Sequence, residues 1–113
     1  MNDVYVLNSR CWLEINSEMV LGEGRLMLLK KIDELGSLSK AAKSMGMSYR
    51  KAWGLVTEMN ILCHQKLVVL KTGGEKGGGA VLSDFGRKLM IQFEEMMQEK
   101  EIFFREQSLK FQE

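Results

Sequence analysis

The residues with the most chemical reach lie in one short run, Ser48-Tyr49-Arg50-Lys51, where two hydroxyls are followed by a guanidinium and an ammonium. A guanidinium presents paired N–H donors in a fixed fork that matches O6 and N7 of a guanine. Hydroxyls and ammonium groups suit phosphate oxygens, which fix position without reading sequence. The chemistry implied is recognition rather than bond making. Tyr49, Arg50, Lys51 and Thr57 are therefore candidates for reading base edges in double-stranded DNA. Ser39, Lys40, Ser48, Lys71, Thr72 and Lys76 are candidates for holding phosphates.

Catalytic and metal chemistry find little to work with. No nucleophile–base pair or carboxylate cluster stands out, so an enzyme is not expected. Cys63-His64 supplies two metal ligands at most, where structural zinc usually takes four, and it reads as a helix end entering a strand. Residues Gly73 to Gly79 contain five glycines and Lys76, yet neither Gly-x-x-x-x-Gly-Lys-Ser/Thr nor Gly-x-Gly-x-x-Gly can be threaded through them. No cofactor and no metal site is expected.

The elements that must hold these groups follow from spacing. Arg10 to Leu21 alternates around Asn16-Ser17-Glu18 and predicts a short hairpin. Leu26, Leu28, Leu29, Ile32 and Leu35 then recur at helical spacing up to Gly36, a C-terminal cap. Ser37 or Ser39 can cap a second helix, with Ala41, Ala42 and Met45 inward and Gly46 as its stop. Ser48 can cap a third, running to about Leu62, with Ala52, Val56 and Met59 buried. Small residues suit a close crossing: Ala42 permits approach, Gly46 is free to take positive φ, and Met47 and Ala52 fill the angle. This predicts a helix-turn-helix whose recognition helix turns Tyr49, Arg50, Lys51, Gly54 and Thr57 outward. A purely structural corner is the alternative. Trp53, beside the buried stripe, reads as a partly buried packing residue.

Downstream, Leu67-Val68-Val69-Leu70 and Ala80-Val81-Leu82 flank the glycine-rich run and predict a hairpin, or wing, over about 67–82. Ser83 can cap a final helix of some six turns to about Gln107. Along it Leu89, Met96 and Phe103 are seven apart, as are Met90, Met97 and Phe104, with Phe93 between. Such a stripe resembles a coiled-coil seam. Leu89, Phe93, Met96 and Phe103 are thus expected to pair two copies, with packing on the chain's own domain as the alternative.

Composition agrees with one folded domain. Among 113 residues, 45% are hydrophobic and 27% charged, ordinary globular usage. Two cysteines beside nine methionines suit a reducing compartment. With no membrane span and no basic leader at the start, the expected address is the cytoplasm, away from the membrane. Net charge is only +1, but residues 38–88 hold nine basic against three acidic side chains, leaving −5 for the rest. The expected fold is mainly α with small β hairpins: a winged helix-turn-helix over 1–83, followed by a dimerisation helix and tail over 84–113.

These residues also carry a resemblance. Gly36-Ser37-Leu38-Ser39-Lys40-Ala41-Ala42, then Met47-Ser48-Tyr49-Arg50-Lys51-Ala52-Trp53 and Glu58-Met59-Asn60, resemble the N-terminal DNA-binding domain of ModE-type molybdate-responsive transcriptional regulators. Thr72-Gly73-Gly74, with Lys76 through Ser83, resembles that family's glycine-rich wing, and the likeness spans about Cys11 to Phe104. The helix-turn-helix is more distantly similar to that of LysR-type regulators. The resemblance implies a homodimer on a palindromic operator, commonly of molybdate or tungstate transport and molybdenum-enzyme genes. Family members carry C-terminal oxyanion-binding modules that are not found before Glu113, so molybdate or tungstate binding is not expected of these residues. A winged-helix module serving protein contacts is the alternative function.

Overall fold

The computed structural model describes residues 3–71 and 79–112. Two antiparallel hairpins and four helices follow one another in the expected order. Strands β1 (Leu13–Ile15) and β2 (Glu18–Leu21) precede helices α1 (Glu23–Leu35), α2 (Leu38–Ser44) and α3 (Tyr49–Leu62). Strands β3 (Val68–Leu70) and β4 (Ala80–Leu82) then lead into α4 (Asp84–Leu109).

Local signals set most boundaries. Asn16 and Ser17 both take positive φ, 51° and 69°, which gives the two-residue turn that a right-twisted hairpin favours. Gly36 caps α1 at φ 65°, its N–H bonded to the Ile32 carbonyl. Ser37, not Ser39, caps α2, its Oγ accepting from the Lys40 N–H at 3.1 Å. Gly46 takes φ 66° in the turn. Ser48 and Ser83 cap α3 and α4 by accepting from the Lys51 and Gly86 amides.

The core gathers one face from each element. Leu28, Leu29 and Ile32 of α1 meet Ala41 and Ala42 of α2, and Ala52, Val56 and Met59 of α3. Val20 and Leu21 close one end, while Leu67, Val68, Ala80 and Leu82 close the other. In the second hairpin Val68 pairs with Leu82 and Leu70 with Ala80, so alternate side chains enter the core while Val69 and Val81 face out.

Helix α4 divides in two. Its proximal half lies across α1 and β4, and there Met90 and Phe93 are buried while Leu89 is packed against the same core. Phe93, expected in a seam between two copies, is only 6% exposed and belongs to the chain's own core. The reason is geometric: Met90 and Phe93 lie on the face of α4 that packs on α1 and β4, an interface that the ion pairs Arg87 with Asp33 and Lys30 with Glu94 also cross. Beyond it Met96 and Phe103 are exposed. Residues 4–9, for which sequence spacing offers no element, run along the distal half. The Leu7 amide donates to Ser108 Oγ at 2.8 Å, the Tyr5 amide to Gln112 Oε1 at 3.2 Å, and Lys100 Nζ to the Ser9 carbonyl at 3.2 Å.

The tightest packing is where α4 begins. A Cβ on Gly86 would stand 2.2 Å from the Leu67 carbonyl oxygen, inside the backbone of β3's entry. Gly86→Ala is accordingly expected to lower stability by about 1–3 kcal/mol, the usual range for overpacking a tight contact. In Gly24→Ala the added methyl meets nothing within 4 Å, so stability is held or raised. Thermal unfolding of the two variants checks this; an unchanged midpoint for Gly86→Ala would refute it.

Candidate nucleic-acid interface

The two helices of the motif are fixed by backbone bonds through the turn. Met45 N–H reaches the Ala41 and Ala42 carbonyls, and Met47 N–H returns to the Ala42 carbonyl at 3.0 Å. With Gly46 left-handed between them, the chain reverses in four residues and starts α3 at the Ser48 cap. Ala42 and Ala52 are buried at the crossing, and Met47 packs against the core beside them.

With Ala52, Val56 and Met59 inward, the 3.6-residue period turns Arg50, Gly54 and Thr57 to the opposite side, with Ile61 further along. Arg50, Gly54 and Ile61 are exposed, while Thr57 is half-buried. Tyr49 lies on one flank and Lys51 on the other, both exposed. From Arg50 to Thr57 the helix rises about 10 Å, close to three base-pair steps. Trp53, expected to be a partly buried packing residue, is 48% exposed, on the same flank as Tyr49. At four residues' spacing the two aromatic residues lie on successive turns of the helix surface.

Charge on this surface is one-sided. Among the described residues, Lys40, Lys43, Arg50 and Lys51 have no ion-pair partner. The single acid of α3, Glu58, is held at 3.1 Å by Arg25, whose charge neutralises it. Arg25 is a feature that sequence spacing did not disclose. It is 9% exposed in α1 and also donates to the Met19 and Val20 carbonyls, so one guanidinium ties β2, α1 and α3 together.

The phosphate-type candidates lie on α2, at the start of α3 and just past β3. Ser39 and Lys40 are exposed in the first turn of α2, and Ser48 is exposed at the start of α3, where its hydroxyl hydrogen is still available to donate. Lys71 is exposed where the chain leaves β3, and its amide donates to the Gly79 carbonyl at 2.7 Å where the chain returns. Thr72 and Lys76 lie outside the described residues.

Asn60 relates the recognition helix to the second hairpin. Its Oδ1 accepts from the amides of Leu67 at 2.8 Å and Val68 at 3.2 Å, and its Nδ2 donates to the Val68 carbonyl at 2.9 Å. Ser83 Oγ donates to the Lys66 carbonyl at 2.6 Å from the other side. The wing base therefore cannot shift without breaking side-chain bonds to α3.

Burial pushes the Cys63 thiol up from its ordinary pKa, which keeps it protonated and a poor nucleophile near neutral pH. Among the described residues, no three His, Cys, Asp or Glu side chains are grouped to hold a metal, and no helix is long and apolar enough to cross a membrane.

Part of this sequence is similar to known proteins. The chain is 40% identical over 86 residues, 76% of its length, to the DNA-binding transcriptional dual regulator ModE of Escherichia coli K12. It is 36% identical over 85 residues to the molybdenum transport protein ModE of Azotobacter vinelandii. This chain is homologous to the N-terminal region of ModE. A third relative, 42% identical over 73 residues, is the molybdenum-pterin-binding protein MopB of Rhodobacter capsulatus, of which the match covers 27%. The chain spans about a third of the length of the ModE relatives it matches, 33% and 32% of the two named. No family model matches it. The ModE relatives are named as regulators or transport proteins, not as enzymes.

Replacing Asn60 by alanine strands two amides and a carbonyl at the wing base, at an expected cost of about 1–3 kcal/mol. Asn60→Asp keeps the acceptor but sets an anionic oxygen against the Val68 carbonyl in place of the N–H donor, so a loss is expected there too. Urea titration of both variants measures the losses, and equal midpoints for Asn60→Ala and wild type would remove the clamp from the account.

Proposed function

We propose that this chain is the DNA-binding part of a ModE-like transcriptional regulator, binding a palindromic operator in molybdate- or tungstate-related genes as a homodimer, without catalytic activity of its own. The observation that carries the proposal is the outward face of α3. It sets Arg50 opposite the buried stripe, with neighbouring cations lacking acidic partners among the described residues, in a chain whose ModE relative is named as DNA-binding. A single helix fits the major groove of B-DNA, where all four base pairs are distinguishable.

In this reading residues 1–83 meet DNA and 84–113 pair the two copies. Arg50 takes a guanine edge, with Tyr49, Lys51 and Thr57 reading neighbouring positions. Ser39, Lys40, Ser48 and Lys71 contact phosphates, and Thr72 and Lys76 continue that role into the wing. Pairing falls to the exposed Met96 and Phe103 of the distal α4, with Leu89 at the edge of the core.

Fluorescence anisotropy of labelled duplexes at about 50 and 200 mM salt tests the DNA reading, because phosphate contacts make affinity fall steeply between those conditions. Arg50→Ala is expected to cost about 1–3 kcal/mol and relax preference at one base pair. Lys71→Ala is expected to weaken all duplexes alike and reduce the salt slope by about one. Absence of binding at the lower salt would reject the reading and favour a module for protein contacts. For the pairing, sedimentation at micromolar concentration is expected to show a dimer that Phe103→Glu dissociates; a wild-type monomer is the contrary result.

A further inference from the structure

A helix interior tolerates glycine poorly, since the residue loses more conformational freedom on folding than alanine and contributes no side chain. Where one is found, the chain's own structure usually supplies the reason. Gly36 and Gly46 sit at positive φ, a conformation that other residues avoid. Gly86 has no room for a Cβ against Leu67. Two glycines have neither reason, Gly24 in the first turn of α1 and, well inside its helix, Gly54. Gly54 lies inside the 14-residue α3, without positive φ, and a Cβ built on it meets nothing within 4 Å. The fold would accept any helix-forming residue there.

The position on the helix supplies what the fold does not. Gly54 is exposed and lies between Arg50 and Thr57, on the side opposite Ala52 and Val56. An α-helix with its side chains is about 10–12 Å across, and the major groove is about 12 Å wide. A helix seated in that groove has almost no clearance, so the residue at its deepest point limits how near the axis comes to the base edges.

We infer that Gly54 is the point of closest approach between α3 and the base edges of duplex DNA, its missing side chain letting the helix sit deep enough for Arg50 and Thr57 to reach base pairs on either side. The inference rests on the DNA-binding reading above and adds a determinant of specificity to it. A Cβ here lifts the helix away from the base pairs while leaving the phosphate contacts of Lys40 and Lys71 in reach. The loss therefore falls on sequence-specific binding, because non-specific binding depends on phosphates.

The experiment sets stability against affinity. The wild-type chain enriches a duplex from a random-sequence library, and binding to that duplex and to an unselected one of equal length is measured for wild type, Gly54→Ala and Gly24→Ala. Gly24 is the matched control, an exposed helical glycine of α1 with equally open surroundings. Gly54→Ala is expected to raise the melting temperature by a few degrees, as a better helix former. It is also expected to bind the enriched duplex about tenfold more weakly, with a smaller change on the unselected one. Gly24→Ala is expected to keep wild-type affinity for both. If Gly54→Ala binds the enriched duplex as wild type does, or melts lower than wild type, the inference is overturned while the DNA reading stands. If the wild-type chain enriches no sequence, the specific DNA reading fails and the inference with it.

Discussion

The backbone of Leu67 is where the architecture is decided. Three residues meet on it: Asn60 at the end of α3 holds its amide, Ser83 at the cap of α4 donates its N–H to its carbonyl at 2.9 Å, and Gly86 lies against that same carbonyl. Buried backbone groups must be paired, and here one residue's amide and carbonyl serve two different helices. The relation between α3, the base of the second hairpin and α4 is thus set within a few ångströms by hydrogen bonding and steric contact. Hydrophobic burial behind it supplies stability but little orientation, since apolar contacts have no preferred direction.

A second fixed point engages α3 two residues earlier, at Glu58. Arg25 spends its donors on two strand carbonyls and on Glu58, so the first hairpin is attached to the helix-turn-helix by a nearly buried guanidinium. An arginine suits this position because its planar fork serves several acceptors at once and stays charged. The second hairpin is held by the Gly36 carbonyl as well, which accepts from the Ala80 amide at 3.1 Å. The first hairpin is therefore tied to α1 and α3 and the second to the α1–α2 junction, and these ties form the frame that holds α3.

Much of this frame was legible in the sequence because its causes are local. A serine three residues before an amide caps a helix, a glycine past the last apolar residue ends one, and i, i+4, i+7 spacing marks the buried face; Ser48, Gly36 and the Ala52–Val56–Met59 stripe are read this way. What was not legible depends on which surfaces meet. Nothing near Arg25 in the chain announces that strand carbonyls lie above it. Phe93 falls in a heptad pattern, and only the placement of α4 over α1 decides that it serves the domain core. Gly86 gave a faint signal, a poor helix former in the first turn of a helix otherwise rich in good ones.

The length of α4 gives the contact at its root a mechanical meaning. From Gly86 to Leu109 the helix runs about 34 Å at 1.5 Å per residue. Over that lever a tilt of about 5° at the root displaces the far end by about 3 Å, comparable with the 3.4 Å rise of one base pair. Were two copies joined through their distal halves, angular play at the Leu67 contact would become play in the spacing between two reading heads. A glycine that permits no gap between helix and strand is, in this sense, a tolerance on a ruler.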